Sequence, residues 1–290
     1  MSGESSTQKI SDDPLSRPQL VVFLLLDGWG IAPEGEGNAI NEKNSKNFIN
    51  LVSEYPATVL KVNDLSEAKR YSILGSYGKF CQLLLDQGIR QTYITESEKA
   101  SAVLAHFVGQ ENEAKVETKI ISSPICDSYN LNPEMSLEEV GRVAVKAIRE
   151  NKSEFILISV ANLDLVSVSG DFAAIQKAVQ KVDSFIGKIT EEVLLKKGVL
   201  VISSAGGNAE KAIDVVTELT NKENTLNPVP FLVVGTDYKG LSLFGKDAPG
   251  GDLSLLGPTG NLADIPVTLL NLLKFDDSVI IEGKNLLEEK

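Results

Sequence analysis

The feature that most constrains the fold of this chain is a regular alternation of short apolar runs with longer amphipathic stretches. The first run, QLVVFLLLD at residues 19–27, has the length and uniform apolarity of a strand that is buried on both faces. Further strands are predicted at residues 57–62, 90–97, 119–124, 154–162, 199–207 and 227–235. Helical spacing predicts helices at residues 44–55, 76–88, 99–108, 136–151, 171–198 and 262–275. Because strands and helices of these lengths alternate, we predict an α/β fold with a doubly wound, mainly parallel sheet.

Charged side chains stand where several of these strands end. In a doubly wound sheet ligands bind at the carboxyl ends of the strands, so such residues are candidates for a site. Asp27 ends the first strand, and Asp164 follows the strand at 154–162. A carboxylate in either place suits a hard or borderline cation, and the alternative is a role in capping a turn. Lys99 follows the strand at 90–97, where it would bind a phosphate or stay solvated beside two glutamates.

The chain contains a single histidine, which restricts its metal chemistry. A two-metal hydrolase or mutase site normally needs several imidazoles and carboxylates. His106 lies inside a predicted helix, between Ala105 and Phe107, where a histidine is typically a core or boundary residue. Asp27 and Asp164 by themselves could hold a cation weakly, but they could not form a tight two-metal site.

The charge balance and the cysteine content limit the partners and the compartment. A net charge of −12 and a pI near 4.7 argue against nucleic acid or an anionic membrane surface as partner, and solubility alone would explain the acidity. No apolar run reaches the roughly 18 residues that a membrane span requires. We therefore expect a soluble protein. Cys81 and Cys126 form no disulfide framework, which is typical of a reducing compartment, so we expect the protein to be cytoplasmic. Residues 1–18 are polar, unlike a secretory signal, and are expected to be a disordered tail before a single domain at 19–290.

Several longer segments, taken in order, match one protein family. They include LLLDGWGIAPEGEGNAI at 24–40, TYITESEK at 92–99, SSPICDSYNLNPEMSLEEV at 122–140, VANLDLVSVSGDFAAIQKAVQKVD at 160–183 and GNLADIPVTLLNLL at 260–273. In these segments the chain resembles the cofactor-independent (2,3-bisphosphoglycerate-independent) phosphoglycerate mutases of the alkaline phosphatase-like superfamily. The resemblance covers nearly all of residues 19–287, and it implies an alkaline phosphatase-like core inherited from a metalloenzyme.

The chain departs from that family at the catalytic nucleophile. The family carries a nucleophilic serine in a GNSEVGH-like motif and inserts a second, substrate-binding domain after the segment that corresponds to Tyr55-Pro56. Here residues 63–75 (NDLSEAKRYSILG) stand in that place and contain no such motif. Ser66 and Ser72 lack the neighbours of the family serine, so we expect a plain connector and assign no catalytic residue.

The chain departs from the family at the metal ligands as well. The resemblance implies that the aspartate of a D-M-V-G-H segment remains as Asp164, whereas the histidine of that segment is replaced by Val168. Both ligands of an A-D-H-G-N segment are replaced, by Ala205 and Gly206. A further family histidine is replaced by Asn224. Most of the implied metal site is therefore absent.

Three residues still match functional positions of the family. Asp27 and Asp164 correspond to metal ligands, and Lys99 corresponds to a lysine near the substrate phosphate. Two aspartates without histidines are insufficient for the family's metal site. We therefore expect no resident cofactor, with residual Mn²⁺ or Zn²⁺ binding as the open alternative.

The sequence leaves three functions open. The first is a pseudoenzyme with a binding, regulatory or structural role, whose protein partner would occupy the surface left by the absent domain. The second is a weak metal-dependent phosphohydrolase, or a mutase-type phosphotransferase, that recruits Asn162, Asp171 or Asn208 as further ligands. The third is a subunit that a partner chain completes. The missing nucleophile and ligands favour the pseudoenzyme, because losing even one member of a catalytic set costs orders of magnitude in rate.

Overall fold

A central eight-stranded sheet organises the protein in a computed structural model that describes residues 20–214, 216–243, 248–275 and 281–288. The strands are β1 (Val21–Leu26), β2 (Ala57–Lys61), β3 (Gln91–Glu96), β4 (Glu117–Ile121), β5 (Phe155–Val160), β6 (Val199–Ser203), β7 (Ile213–Asp214), β8 (Leu219–Thr220), β9 (Val229–Val234) and β10 (Gly260–Asn261). The sheet order is β10-β2-β9-β6-β1-β5-β3-β4, and β7 and β8 form a separate pair. β9 runs antiparallel to β2 and β6, and the other neighbours in the sheet are parallel.

Helices cover both faces of this sheet, which confirms the predicted doubly wound, mainly parallel α/β fold. They are α1 (Lys46–Glu54), α2 (Glu67–Leu74), α3 (Lys79–Asp86), α4 (Ser97–Val103), α5 (Leu137–Glu150), α6 (Asn162–Ser167), α7 (Phe172–Leu195) and α8 (Asp264–Leu272). Side chains of α1, α5 and α7 join one hydrophobic core, whereas those of α2, α3, α4 and α8 join a second.

The central strand β1 shows why the sheet needs a helical layer on each face. All of its side chains are buried, and alternate residues point to opposite faces. Leu24 and Leu26 join the core beneath α1, α5 and α7. Phe23 and Leu25 join the core beneath α2, α3, α4 and α8. Because burying each such side chain is worth about 1.5–3 kcal/mol, a strand of this composition is stable only with both faces covered.

Every strand predicted from the apolar runs is present. The helix predicted at 76–88 is shorter, as α3, and the helix predicted at 99–108 is α4 followed by a π-helical turn at Leu104–Val108. Two short helices, α2 and α6, were missed. Each spans less than the window of about 11 residues over which helical periodicity can be recognised.

Residues 63–75, expected to be a plain connector, contain α2, so that expectation was wrong. Ser66 caps the helix, since its Oγ accepts a hydrogen bond from a first-turn backbone N–H at 3.5 Å. Arg70, Tyr71 and Leu74 are buried. Their burial depends on segments that are distant in the sequence, and a local pattern of eight residues cannot reveal it.

Three expectations concern the chain as a whole. Residues 1–18 lie outside the described residues, so the tail and the single domain at 19–290 stay predictions. Cys81 and Cys126 are both free thiols. Among the helices of the described ranges, none combines the length and apolarity needed to cross a membrane.

Candidate functional site

Asp27, Lys99 and Asp164 meet at the carboxyl end of the sheet. Asp27 directly follows β1, Lys99 lies in the first turn of α4 after β3, and Asp164 lies in α6 after β5. Because β5 lies between β1 and β3, these three segments are neighbours. Lys99 Nζ is 2.6 Å from Asp164 Oδ2 and 3.9 Å from Asp27 Oδ2. The lysine therefore forms ion pairs with both aspartates.

Gly28 allows the two aspartates to approach each other. The backbone N–H of Asp164 donates a hydrogen bond to the carbonyl oxygen of Asp27 at 3.2 Å. Gly28 has φ +85°, and a Cβ at this position would lie 2.6 Å from the backbone nitrogen of Asp164. A residue with a side chain would therefore strain the backbone and separate α6 from the end of β1.

Burial and neighbouring charges shift the pKa values of Asp27 and Lys99. Asp27 is 4% exposed, and burial raises the pKa of its carboxyl to about 6; the Lys99 charge offsets part of this rise, and the Asp164 charge adds to it. Burial by itself would lower the pKa of Lys99, but the surrounding carboxylate charges outweigh burial and raise this pKa above its usual value. Lys99 therefore stays charged at neutral pH, where Asp27 is mostly ionised.

Helix α2 supplies two further side chains to the same place. Lys99 Nζ donates a hydrogen bond to Glu67 Oε1, and the Tyr71 hydroxyl donates one to Asp27 Oδ2. Tyr71 is fully buried, and burial together with the Asp27 charge raises the pKa of its phenol well above the usual value, so it remains a donor. We call Asp27, Asp164 and Glu67 the carboxylate cluster. The Lys99 ammonium group lies among all three of its members.

Arg70, which also comes from α2, adds a second cation. Arg70 is 3% exposed, and its Nη1 donates to the carbonyl of Leu65 at 2.5 Å. The side-chain amide of Asn224 bridges Arg70 and Asp164 in the orientation that satisfies both of its polar atoms. Its nitrogen donates a hydrogen bond to Asp164 Oδ1 at 2.9 Å, and its oxygen accepts one from Arg70 Nη2 at 3.2 Å. The guanidinium also packs on Gly206, where an added Cβ would lie 3.0 Å from Arg70 Cζ. Arg70 thus stands beside two positions at which the resemblance implies lost metal ligands.

The residues of this site do not fit a resident divalent cation. Lys99 and Arg70 already bring two positive charges to the carboxylate cluster, and a divalent ion beside them would be repelled. Ala205 and Gly206 offer no side-chain ligand atoms. Within the ranges that the structure describes, no three His, Cys, Asp or Glu side chains are arranged to hold an ion.

The further ligands considered from the sequence have other contacts. Asp171 is exposed and caps α7, because its Oδ1 accepts the backbone N–H of Ala174 at 3.1 Å. Asn162 is buried, and its Nδ2 donates to the carbonyl of Pro133 at 3.0 Å. Asn208 is buried with an Oδ1 that has no hydrogen-bond partner among the described residues. Asp171 and Asn162 thus have structural roles.

Two polar residues that the sequence reasoning set aside lie together on α2 and the turn after α4. Ser72 Oγ is 2.9 Å from His106 Nδ1. Both residues are half-buried, and their hydrogen bond ties α2 to the π-helical turn at Leu104–Val108. His106 is a boundary residue, as its position in the sequence indicated.

Sequence reasoning missed Glu67, Arg70 and Tyr71. Their spacing of i, i+3 and i+4 places all three on one face of α2. This spacing was the available signal, but it is weak, because solvated helix faces show the same pattern.

The sheet, its two helical layers and the strand-end carboxylates define an α/β protein of the alkaline phosphatase type. The model of the Metalloenzyme superfamily matches residues 19–277, and the chain belongs to that superfamily. A 2,3-bisphosphoglycerate-independent phosphoglycerate mutase from Clostridioides difficile (strain 630) is 30% identical over 256 residues, which make up 88% of this chain and 47% of that protein. The resemblance drawn from the sequence is therefore confirmed.

Solved structures show the same fold. Leishmania mexicana phosphoglycerate mutase, at low cobalt concentration, gives a TM-score of 0.60 at 22% identity, over 74% of this chain and 39% of that one. Alkaline phosphatase from the Antarctic bacterium TAB5 gives a TM-score of 0.59 at 9% identity, over 91% of this chain and 100% of that one. The chain spans less than half the length of each of these two mutases.

Proposed function

We propose that this chain is a pseudoenzyme of the superfamily with a protein-binding role. The observation that carries the proposal is the position of Lys99, whose ammonium group lies among the three members of the carboxylate cluster. In metal-assisted phosphoryl transfer, a divalent ion neutralises the phosphate and activates the nucleophile. An ammonium group held by carboxylates has no coordination position for a substrate and is not a Lewis acid.

The segment around α2 supports the same proposal. It stands where the resemblance places the family's nucleophilic serine, and its own serines have structural contacts: Ser66 caps α2 and Ser72 bonds to His106. Removing one member of a catalytic set typically costs on the order of 10⁴-fold in rate. Here the nucleophile and most of the metal ligands are absent together, which leaves little catalysis beyond that of solvent.

The distribution of exposed apolar residues supports a binding role. Of the ten large apolar side chains that are exposed in the described part of the chain, seven lie in the connections that follow β2, β4, β5 and β6 at the carboxyl end of the sheet. These seven, which we call the apolar rim, are Leu65, Ile125, Leu131, Val168, Val216, Leu219 and Leu226. Single exposed apolar residues scattered over a surface need no explanation, but their grouping at one end is typical of an interaction surface.

The charges of the rim loops define the chemistry of the partner. The exposed and half-exposed acidic residues in the connections at this end of the sheet include Asp64, Glu67, Glu98, Asp127, Asp171, Glu218 and Glu223, and they outnumber the basic residues Lys69, Lys211 and Lys222. A second copy of this chain, with its net charge of −12, would bring like charges together. The proposed partner is therefore a different protein, with an apolar surface bordered by lysine or arginine.

Thermal unfolding and turnover of the wild-type protein test the absence of metal-dependent catalysis. Mn²⁺ and Zn²⁺ are titrated, with 3-phosphoglycerate in a parallel series, and a phosphate monoester is the substrate in the activity assay. Asp27→Ala and Asp164→Ala are the matched variants. We expect no metal-dependent rise in Tm and no turnover above that of the two variants.

The opposite result would be easy to recognise. A ligand that binds only the folded state, at 100 times its Kd, adds about 2.7 kcal/mol to the free energy of unfolding. For a chain of this size such a gain corresponds to a rise in Tm of several degrees. A rise of this kind that both variants abolish, or turnover that both variants abolish, would refute the pseudoenzyme and support a metal-dependent phosphohydrolase.

A further inference from the structure

We infer that the protein partner inserts one leucine-sized side chain into a small cavity beside the apolar rim. This cavity, which we call the anchor pocket, lies at the carboxyl end of the sheet, between the loop after β1, strand β2, the start of β9 and the 3₁₀ turn at Leu253–Leu255. The inference rests on the proposed binding role and deepens it, since it names a group that the partner contributes.

The anchor pocket is apolar and small. Val59 and Leu253 are buried at its floor, whereas Ile31, Pro228 and Leu256 are half-buried, so its walls reach the solvent. Its volume is about 190 Å³. Sites for small-molecule ligands typically measure about 300–1,000 Å³, whereas an apolar cavity of about 150 Å³ can hold a benzene molecule. The pocket therefore suits one apolar side chain better than a cofactor.

Backbone hydrogen bonds hold the pocket open in a fixed shape. Asn38 is buried, and its Nδ2 donates to the carbonyls of Ala32 and Pro33, each at 3.1 Å. The backbone N–H of Ile31 donates to the carbonyl of Pro228 at 2.8 Å. Because the walls are ordered before anything enters, binding costs little conformational entropy on this side of the interface.

A hydroxyl group in the lining indicates that the occupant is a peptide. Ser254 Oγ is buried and has no hydrogen-bond partner among the described residues. Its backbone N–H is already used by Asp252 Oδ1, at 2.9 Å. A buried hydroxyl without a partner costs free energy, and the main chain beside an inserted side chain offers both donors and acceptors. A hydrocarbon ligand would leave this hydroxyl unpaired.

The pocket is continuous with the apolar rim. Leu226 of the rim is exposed and precedes Asn227, which lines the pocket. Leu255 is also exposed and lies between two lining residues, Ser254 and Leu256. A deep apolar pocket surrounded by shallower apolar contacts is the typical setting of an anchor residue that dominates binding.

The charges around the pocket favour a basic peptide. Glu34 and Asp252 are exposed and directly follow or precede lining residues, and Lys61 at the end of β2 is the nearby basic residue. The connections at this end of the sheet are acidic as well. The partner's anchor side chain should therefore be flanked by lysine or arginine.

A random nonapeptide library displayed on phage, selected against the immobilised protein, is the direct test. We expect the enriched peptides to share one leucine, or a residue of similar size, with lysine or arginine within a few positions. Isothermal titration calorimetry then measures the affinity of an enriched peptide. Replacing its leucine by alanine should weaken binding at least about 10-fold, because the pocket loses apolar contacts.

Variants of the protein locate the binding site. Ala32→Leu fills the pocket from the loop after β1 and should weaken binding of the same peptide at least about 10-fold. Ala32→Ser leaves the cavity open, so it is the matched control and should bind like wild type. Ser254→Leu fills the pocket from another wall and should reproduce the loss. Circular dichroism establishes that each variant is folded, and the change in the peptide does not depend on folding of the protein.

Each outcome decides the inference. It is overturned if no peptide is enriched, if the enriched peptides tolerate alanine in place of leucine, or if they bind both filled variants as tightly as wild type. A dimer in sedimentation velocity that Ala32→Leu dissociates would assign the pocket to a second copy of the chain and would also overturn it. Turnover by the wild-type protein would refute the pseudoenzyme but would leave the peptide result unchanged, so the two proposals fail separately.

Discussion

Asp27 is a buried carboxylate that destabilises the folded protein at neutral pH, and Asp27→Asn should therefore increase stability. Burial raises the pKa of Asp27 from 3.8 to about 6, in spite of the nearby Lys99 charge. A carboxyl group whose pKa is higher in the folded state binds its proton more tightly there than in the unfolded chain. Its contribution to the free energy of unfolding is therefore largest at low pH and declines as pH rises from about 4 to about 6.

The magnitude follows from the interval between the two pKa values. Each pKa unit corresponds to about 1.4 kcal/mol, so the interval from 3.8 to about 6 corresponds to about 3 kcal/mol. Asparagine imitates the protonated carboxyl, and its amide oxygen can still accept the hydrogen bond from Tyr71. Lys99 keeps Asp164 and Glu67 as partners. We expect Asp27→Asn to match wild type near pH 4 and to exceed it by up to about 3 kcal/mol at pH 8.

Urea unfolding followed by circular dichroism at several pH values measures this difference. Taking the difference between variant and wild type removes other titrations, including that of Glu96, whose pKa burial raises to about 7. Asp183→Asn is the control. The Asp183 carboxylate accepts hydrogen bonds from the backbone N–H groups of Asn47 and Phe48, so this substitution should lower the free energy of unfolding. The reasoning is refuted if Asp27→Asn is less stable than wild type at pH 8, or if the difference does not depend on pH.

Two further predictions concern the apolar rim and the contact of Arg70 with Gly206. Leu131→Asp should abolish capture of the proposed partner in pull-downs compared by mass spectrometry. Leu195→Asp is the control and should retain capture, because Leu195 is similarly exposed but lies at the far end of α7. Equal capture by both variants would rule out the apolar rim as the binding surface. Gly206→Ala should lower the free energy of unfolding by about 1–3 kcal/mol, because the new Cβ would lie 3.0 Å from Arg70 Cζ. Gly206→Ala combined with Arg70→Ala should recover part of that loss in the same urea assay, and no recovery would contradict the contact.

The sequence by itself predicted the sheet, because buried parallel strands are apolar along their whole length and stand out from the amphipathic helices around them. It also predicted the edge at which the charged residues lie. Asp27 ends one predicted strand and Asp164 lies just beyond another, and the carboxyl ends of parallel strands share one edge. The prediction that the chain resembles a metalloenzyme family rested on segments of that same scaffold, and the superfamily match over residues 19–277 confirms it.

The tertiary structure alone decided what occupies this edge. Helix α2 is too short for its periodicity to be recognised, and two of its side chains have partners far along the chain: Tyr71 contacts Asp27, and Glu67 contacts Lys99. The sequence gives each of these residues an ordinary local role, as a solvated glutamate or lysine or as an aromatic core residue. Coulomb attraction and burial become large only when the fold removes water from between charges that the sequence keeps apart. For this reason the resemblance implies which positions of the family's metal site have changed, whereas only the fold shows that the Lys99 ammonium group lies among Asp27, Asp164 and Glu67.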